Sequence, residues 1–74
     1  MSALAKVPIG SRCRVVAVSG TDPIAQRLME MGLVEGAELQ VIKLAPLGDP
    51  MQITVLGYHL TLRKTEAARV QVAL

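Results

Sequence analysis

The side chains that could perform nucleophilic or metal chemistry are few and lie far apart in the sequence. Cys13 and His59 form the only thiol–imidazole pair, since the chain has one cysteine and one histidine. A catalytic nucleophile needs a neighbouring base and an orienting group, and a metal site needs several ligands at defined spacing. Cys13 lies in a β-branched segment that is typical of a buried strand, and the carboxylates are scattered. We therefore expect no catalytic residue, no metal ligand and no cofactor.

The composition argues against nucleic acid and membrane as direct partners. Apolar residues make up 51% of the 74 residues, but Tyr58 is the only aromatic residue, and the net charge is +2 with acidic residues interspersed. Such a chain has neither the stacking platform nor the concentrated basic face of a nucleic-acid-binding domain. The longest uncharged run, Pro50 to Leu62, contains polar residues and is too short for a membrane helix. No signal peptide pattern is present, so we expect a cytoplasmic protein with one domain over residues 1–74.

Glycine and proline divide the chain into about five short strands. Apolar and polar residues alternate over residues 37–44, 51–55, 58–63 and 70–72, and residues 12–19 form a β-branched run. Leu56-Gly57 is placed to make a two-residue hairpin, and Lys64 to Ala68 has room for a single helical turn. The sequence therefore predicts an all-β fold, a small antiparallel barrel of about five strands with one short inserted α-helix.

The predicted helix lies between the first and second strands. Asp22 is placed to cap its exposed N–H groups, Pro23 suits the first helical position, and Gly32 suits the left-handed residue that ends a helix. Its apolar residues span an arc of about 160°, wider than the roughly 100° that covering a small barrel requires. We expect the surplus, continued by Leu33 and Val34, to form an apolar ledge that docks a partner. Its flexible methionines suit a surface that repacks against another protein.

Polar residues beside this apolar ledge are expected to orient the partner, and the loop after the second strand is expected to join the docking surface. Because some apolar surface is left exposed, we also expect that the chain can self-associate. The predicted partner-binding residues are Ala25, Arg27, Leu28, Met29, Glu30, Leu33, Gly48 and Asp49.

Three segments in order resemble one known family. Residues 26–37 place Arg-Leu before Met-Gly-Leu and end in the Gly-Ala that opens the next strand; residues 45–50 and 62–68 match the family's loop and closing segment. The chain from about 7 to 72 thus resembles the FeoA proteins. The resemblance implies an SH3-like barrel with an inserted helix. It also implies an accessory role in ferrous iron uptake through contact with the cytoplasmic G-protein region of the bacterial transporter FeoB.

Two other functions are compatible with a small barrel. One is an Fe²⁺ or transition-metal sensor or regulator domain, which requires a tight metal site within the chain. The other, less favoured, is a nucleic-acid-binding barrel, which requires binding that falls steeply with salt. Neither is supported by a cluster of side chains in the sequence.

Overall fold

The computed structural model describes residues 1–74 as a six-stranded antiparallel sheet curled around an aliphatic core. Spatially, the strands follow the order β1-β6-β2-β3-β4-β5. Irregularities in register between Val15 and Ala17 and between Val41 and Lys43 mark bulges, which bend strands and help a small sheet to curl. The elements are β1 (Ser2–Ala3), β2 (Arg12–Val18), α1 (Pro23–Glu30), β3 (Glu38–Leu44), β4 (Met51–Val55), β5 (Tyr58–Leu62), α2 (Lys64–Ala67) and β6 (Val70–Ala73).

The strand β1 and the 3₁₀ turn that follows it, Leu4–Lys6, were not predicted. The strand has only two residues, paired with β6 through Ser2 opposite Val72 and Ala3 opposite Gln71. Two residues are too few to show an alternating pattern. The turn after them places Leu4 fully inside the core, so this segment adds a side chain to the main cluster.

The hairpin between β4 and β5 has the predicted two-residue turn. Leu56 and Gly57 both have positive φ, 52° and 82°, which is the conformation of a type I′ turn. The alternation in β5 is only partly as expected, because Tyr58 is 68% exposed whereas Leu62 is fully buried. Tyr58 lies on the edge strand opposite Val55, which is buried in the core, so at this position only the inner strand of the hairpin contributes a core side chain.

The core contains aliphatic side chains, alanines and the one cysteine. Sixteen buried residues form a single cluster, and no polar side chain is buried. Cys13 belongs to this cluster, and burial raises the pKa of its thiol above the ordinary value. The prediction that Cys13 is a packing residue is confirmed, because its side chain is buried within the core cluster.

The ends of α1 are as predicted. The Asp22 Oδ1 atom accepts a hydrogen bond from Ala25 N at 3.3 Å, and Pro23 occupies the first helical position. Gly32 ends the segment with φ of 105°. The same Asp22 oxygen lies 2.5 Å from Arg69 Nη1, so the cap also ties the helix start to the residue before β6.

This ion pair makes the stability of the fold depend on pH. The hydrogen bond from Arg69 holds the pKa of Asp22 below its ordinary value of 3.8. A lowered folded-state pKa stabilises the fold above the unfolded-state pKa, and this contribution is lost as the pH falls through the folded-state pKa. We expect wild type to exceed Asp22→Asn in Tm at pH 6, with a smaller difference at pH 2.5. Asparagine retains the cap, so thermal unfolding of both chains isolates the charge. A difference independent of pH would contradict this.

Candidate functional site

The apolar ledge predicted at the end of α1 is exposed only in part. Met29 is 39% exposed and Val34 is 45% exposed, so both are accessible to a partner. Ala25, Leu28 and Leu33 are fully buried and belong to the inner side of the helix and the turn. The prediction that these three contact a partner directly is wrong for this structure, because their side chains are fully covered by other residues of the same chain. As buried neighbours in the chain, they anchor the backbone that carries Met29 and Val34.

A leucine from the hairpin, missed by the sequence analysis, extends the ledge. Leu56 is 61% exposed, and its Cδ1 atom would lie 2.8 Å from a Cβ atom built on Gly32. Backbone bonds connect Gly32 to both other members, from Gly32 N to Met29 O (3.0 Å) and from Val34 N to Gly32 O (2.9 Å). Met29, Val34 and Leu56 are called the exposed ledge below. One sequence feature could have revealed Leu56 as an exposed residue: a leucine stands at a hairpin-turn position where asparagine or glycine is usual.

A polar groove of about 630 Å³ lies on another side of α1. It brings together Arg27 and Asp49, two predicted site residues that are far apart in the sequence. The lining residues are Arg27, Met31, Asp49, Pro50, Thr61, Arg63 and Glu66.

Hydrogen bonds fix the acidic side chains of this groove. Glu66 forms an ion pair with Arg27 through one oxygen and accepts from Arg63 N at 2.8 Å through the other. Asp49 Oδ1 accepts from Lys64 N at 2.9 Å, which caps the first turn of α2. The side chains of Arg63 and Lys64 form no ion pair. The lining itself is balanced, with Arg27 and Arg63 against Asp49 and Glu66, and the adjacent Lys64 adds one net positive charge at this end.

The remaining two predicted site residues lie apart from the groove lining. Glu30 is exposed at the end of α1 and forms no ion pair. Gly48 is half-buried at φ of 82°, and its N–H donates to Ala45 O at 2.7 Å within the loop. Gly48 therefore shapes the loop that presents Asp49, and Glu30 is free to meet a partner.

The structure does not bring the thiol and the imidazole together. Cys13 is in the core on β2, whereas His59 is exposed on β5, and β3 and β4 separate the two strands. The nearest polar partner of the imidazole is Gln52, with Nε2 3.4 Å from Nδ1. No group of three or more His, Cys, Asp or Glu side chains is arranged to hold a metal ion. None of the helices is long and apolar enough to cross a membrane.

Comparison with known sequences identifies relatives over nearly the whole chain. The family model of the FeoA domain matches residues 3–74. A fusion protein of Porphyromonas gingivalis (strain ATCC BAA-308 / W83), which joins Fe(2+) transport protein A to the Fe(2+) transporter FeoB, is 34% identical over 71 residues. The match covers 96% of this chain but only 8% of the fusion protein.

Solved structures show the same architecture. The NMR structure of a FeoA-like protein from Clostridium acetobutylicum matches with a TM-score of 0.92 at 34% identity, over 99% of this chain and 85% of that chain. The crystal structure of Stenotrophomonas maltophilia FeoA complexed with zinc, described as a prokaryotic SH3 domain protein, matches with a TM-score of 0.87 at 32% identity. That match covers 99% of this chain and 91% of the other. The predicted SH3-like barrel is confirmed.

Proposed function

Because this chain belongs to the FeoA family, whose members are linked to ferrous iron transport, we propose that it is a non-enzymatic accessory of ferrous iron uptake. In this proposal it acts in the cytoplasm, as one domain over residues 1–74, by binding the G-protein region of a FeoB-type transporter. The observation that carries the proposal is the fused relative, in which a segment 34% identical to this chain is joined to FeoB. Fusion places two units in one chain and favours their contact.

The exposed ledge is the proposed centre of the interface. Interfaces concentrate their free energy in a few apolar side chains surrounded by polar ones. Met29, Val34 and Leu56 supply the apolar centre. The polar rim is supplied by Arg27 and Glu30, together with the loop that carries Gly48 and Asp49. Self-association, if it occurs, would compete for the same ledge.

Charging the exposed ledge should weaken the association strongly. We expect Met29→Glu to weaken binding to the detergent-solubilised transporter by about tenfold or more, because the contact would bury an unpaired carboxylate. Met29 is partly solvated in the free protein, so the Tm should stay close to that of wild type. Pull-down with titrated transporter measures the affinity.

The matched control is Leu74→Glu, which adds the same charge at a 77% exposed leucine after β6, outside the ledge and the groove. It should bind like wild type. Equal binding by Met29→Glu and wild type would show that the ledge is not the contact surface. Equal losses in both variants would show a general effect of charge.

A further inference from the structure

One edge of the sheet has no neighbouring strand. The strand β5 pairs only with β4. Because the two-residue turn makes Val55 and Tyr58 a hydrogen-bonded pair, alternate residues of β5 bond to β4, and the N–H and C=O groups of His59 and Thr61 point outward. None of these four groups takes part in a backbone hydrogen bond outside the sheet. They are available to another extended backbone.

This edge lacks the features that usually prevent strand pairing. Natural edge strands are short, charged, interrupted by proline or covered. The other edge, β1, has only two residues, whereas β5 has five residues, Tyr58–Leu62, with no Lys, Arg, Asp, Glu, Pro or Gly among them. Its side chains, Tyr-His-Leu-Thr-Leu, are of types that favour or tolerate strand structure.

The helix α1 runs beside this edge and leaves a groove. Gly32, just after the helix, approaches Leu56, just before β5. At the other end, Arg27 pairs with Glu66, which follows β5. Between these two contacts, Met31 of the helix and Thr61 of the strand line the same groove. A second copy of the chain would bring its own α1 to the same place beside its β5, so a single extended segment suits the groove better than a second β5.

We propose that the β5 edge binds an extended acidic segment of a partner protein as an additional strand, with α1 as the second wall. The charge of the segment follows from Arg63, just after β5, and Lys64, the first residue of α2: neither side chain forms an ion pair, and beside them only Asp49 carries a carboxylate that forms no ion pair. A carboxylate on the bound segment would pair with them. Recognition by strand addition uses backbone bonds for affinity and side chains for selectivity. The inference goes beyond the proposed function, because it holds whichever protein supplies the segment.

The test uses capped hexapeptides and the full chain labelled with ¹⁵N. The probes are Asp-Asp-Val-Thr-Val-Thr and its reverse, so that a carboxylate reaches Arg63 in either strand direction. We expect one of them to shift the amide resonances of His59 and Thr61 in a saturable way. The corresponding peptides with lysine in place of aspartate should bind about tenfold more weakly. No saturable shift with either acidic probe, or equal affinity for the lysine peptides, would overturn the proposal.

Methylation of the peptide backbone separates strand addition from simple charge attraction. Alternate residues of an added strand face β5. Methylating the nitrogens of one alternate set should weaken binding about tenfold, since backbone hydrogen bonds are lost, while methylating the other set should have little effect. Equal affinity of both methylated peptides and the parent would overturn the proposal.

A variant of the protein also distinguishes strand addition from charge attraction. Thr61→Pro removes one outward N–H group without removing a bond to β4, a position where an edge strand accepts proline. Thr61→Pro should lower the affinity of the chain for the acidic peptide, whereas Thr61→Val should leave that affinity unchanged. If Thr61→Pro does not fold, the methylated peptides remain decisive with the wild-type chain.

Discussion

Leu28→Ala is expected to lower the free energy of unfolding by about 2–5 kcal/mol, the range for removing a fully buried leucine side chain. Leu28 is fully buried in the inner face of α1, and the core has no large aromatic residue to close the space. Small domains have a total stability of only about 5–15 kcal/mol, so this loss is a large fraction. Urea unfolding followed by circular dichroism measures it.

The neighbouring residue provides a matched control. Met29→Ala shortens the next side chain along the helix, which is partly solvated, and should cost less than about 1 kcal/mol. Comparable losses in the two variants would contradict the assignment of Leu28 to the core and Met29 to the exposed ledge. The pair thus separates the residues that support the ledge from those that a partner can reach.

Gly32→Ala should destabilise the protein by about 1–2 kcal/mol, because φ at this position is 105°, where an L side chain is strained. The added methyl group would also lie 2.8 Å from Leu56 Cδ1, so the leucine must move. We also expect the folded variant to bind a partner of the exposed ledge more weakly than wild type does, because the displaced leucine belongs to that ledge. Urea unfolding and binding titrations measure the two effects.

Two further variants separate the cost of the strained backbone at Gly32 from the cost of the contact with Leu56. Gly48→Ala also places a side chain at positive φ but has no atom within 4 Å of the added methyl group, so it should show only the backbone cost. Measured relative to the Leu56→Ala single variant, Gly32→Ala should cost no more than Gly48→Ala does in the wild-type chain. If Gly32→Ala still costs more than Gly48→Ala when the leucine is absent, the extra cost does not come from the contact with Leu56.

Local signals explain which elements could be predicted from the sequence. The cap at Asp22, the proline after it and Gly32 lie within the helix or next to its ends, and each acts through its immediate backbone. The strand pattern is also local, because alternation reports which face of a strand is buried. The segment Ser2–Ala3 had too few residues to show a pattern, and Tyr58 followed the alternation but is exposed on the edge strand opposite the buried Val55.

The candidate site was less predictable because it depends on contacts between distant residues. The wide apolar arc of α1 indicated surplus apolar surface, but the helix periodicity could not show that Leu28 and Leu33 would be covered by the barrel. The contact of Leu56 with Gly32 and the pairing of Arg27 with Glu66 join residues 24 and 39 positions apart (56 − 32 and 66 − 27). No spacing rule connects such residues, so only the folded chain shows them together.

Under the proposed function, the exposed ledge binds the cytoplasmic G-protein region of a FeoB-type transporter. The most direct measurement of this contact is a calorimetric titration of that isolated region with this chain, with and without guanine nucleotide. We expect saturable binding by wild type in at least one nucleotide state and its loss in Met29→Glu, with binding by Leu74→Glu unchanged. Absence of wild-type binding in every nucleotide state, or undiminished binding by Met29→Glu, would contradict the proposal.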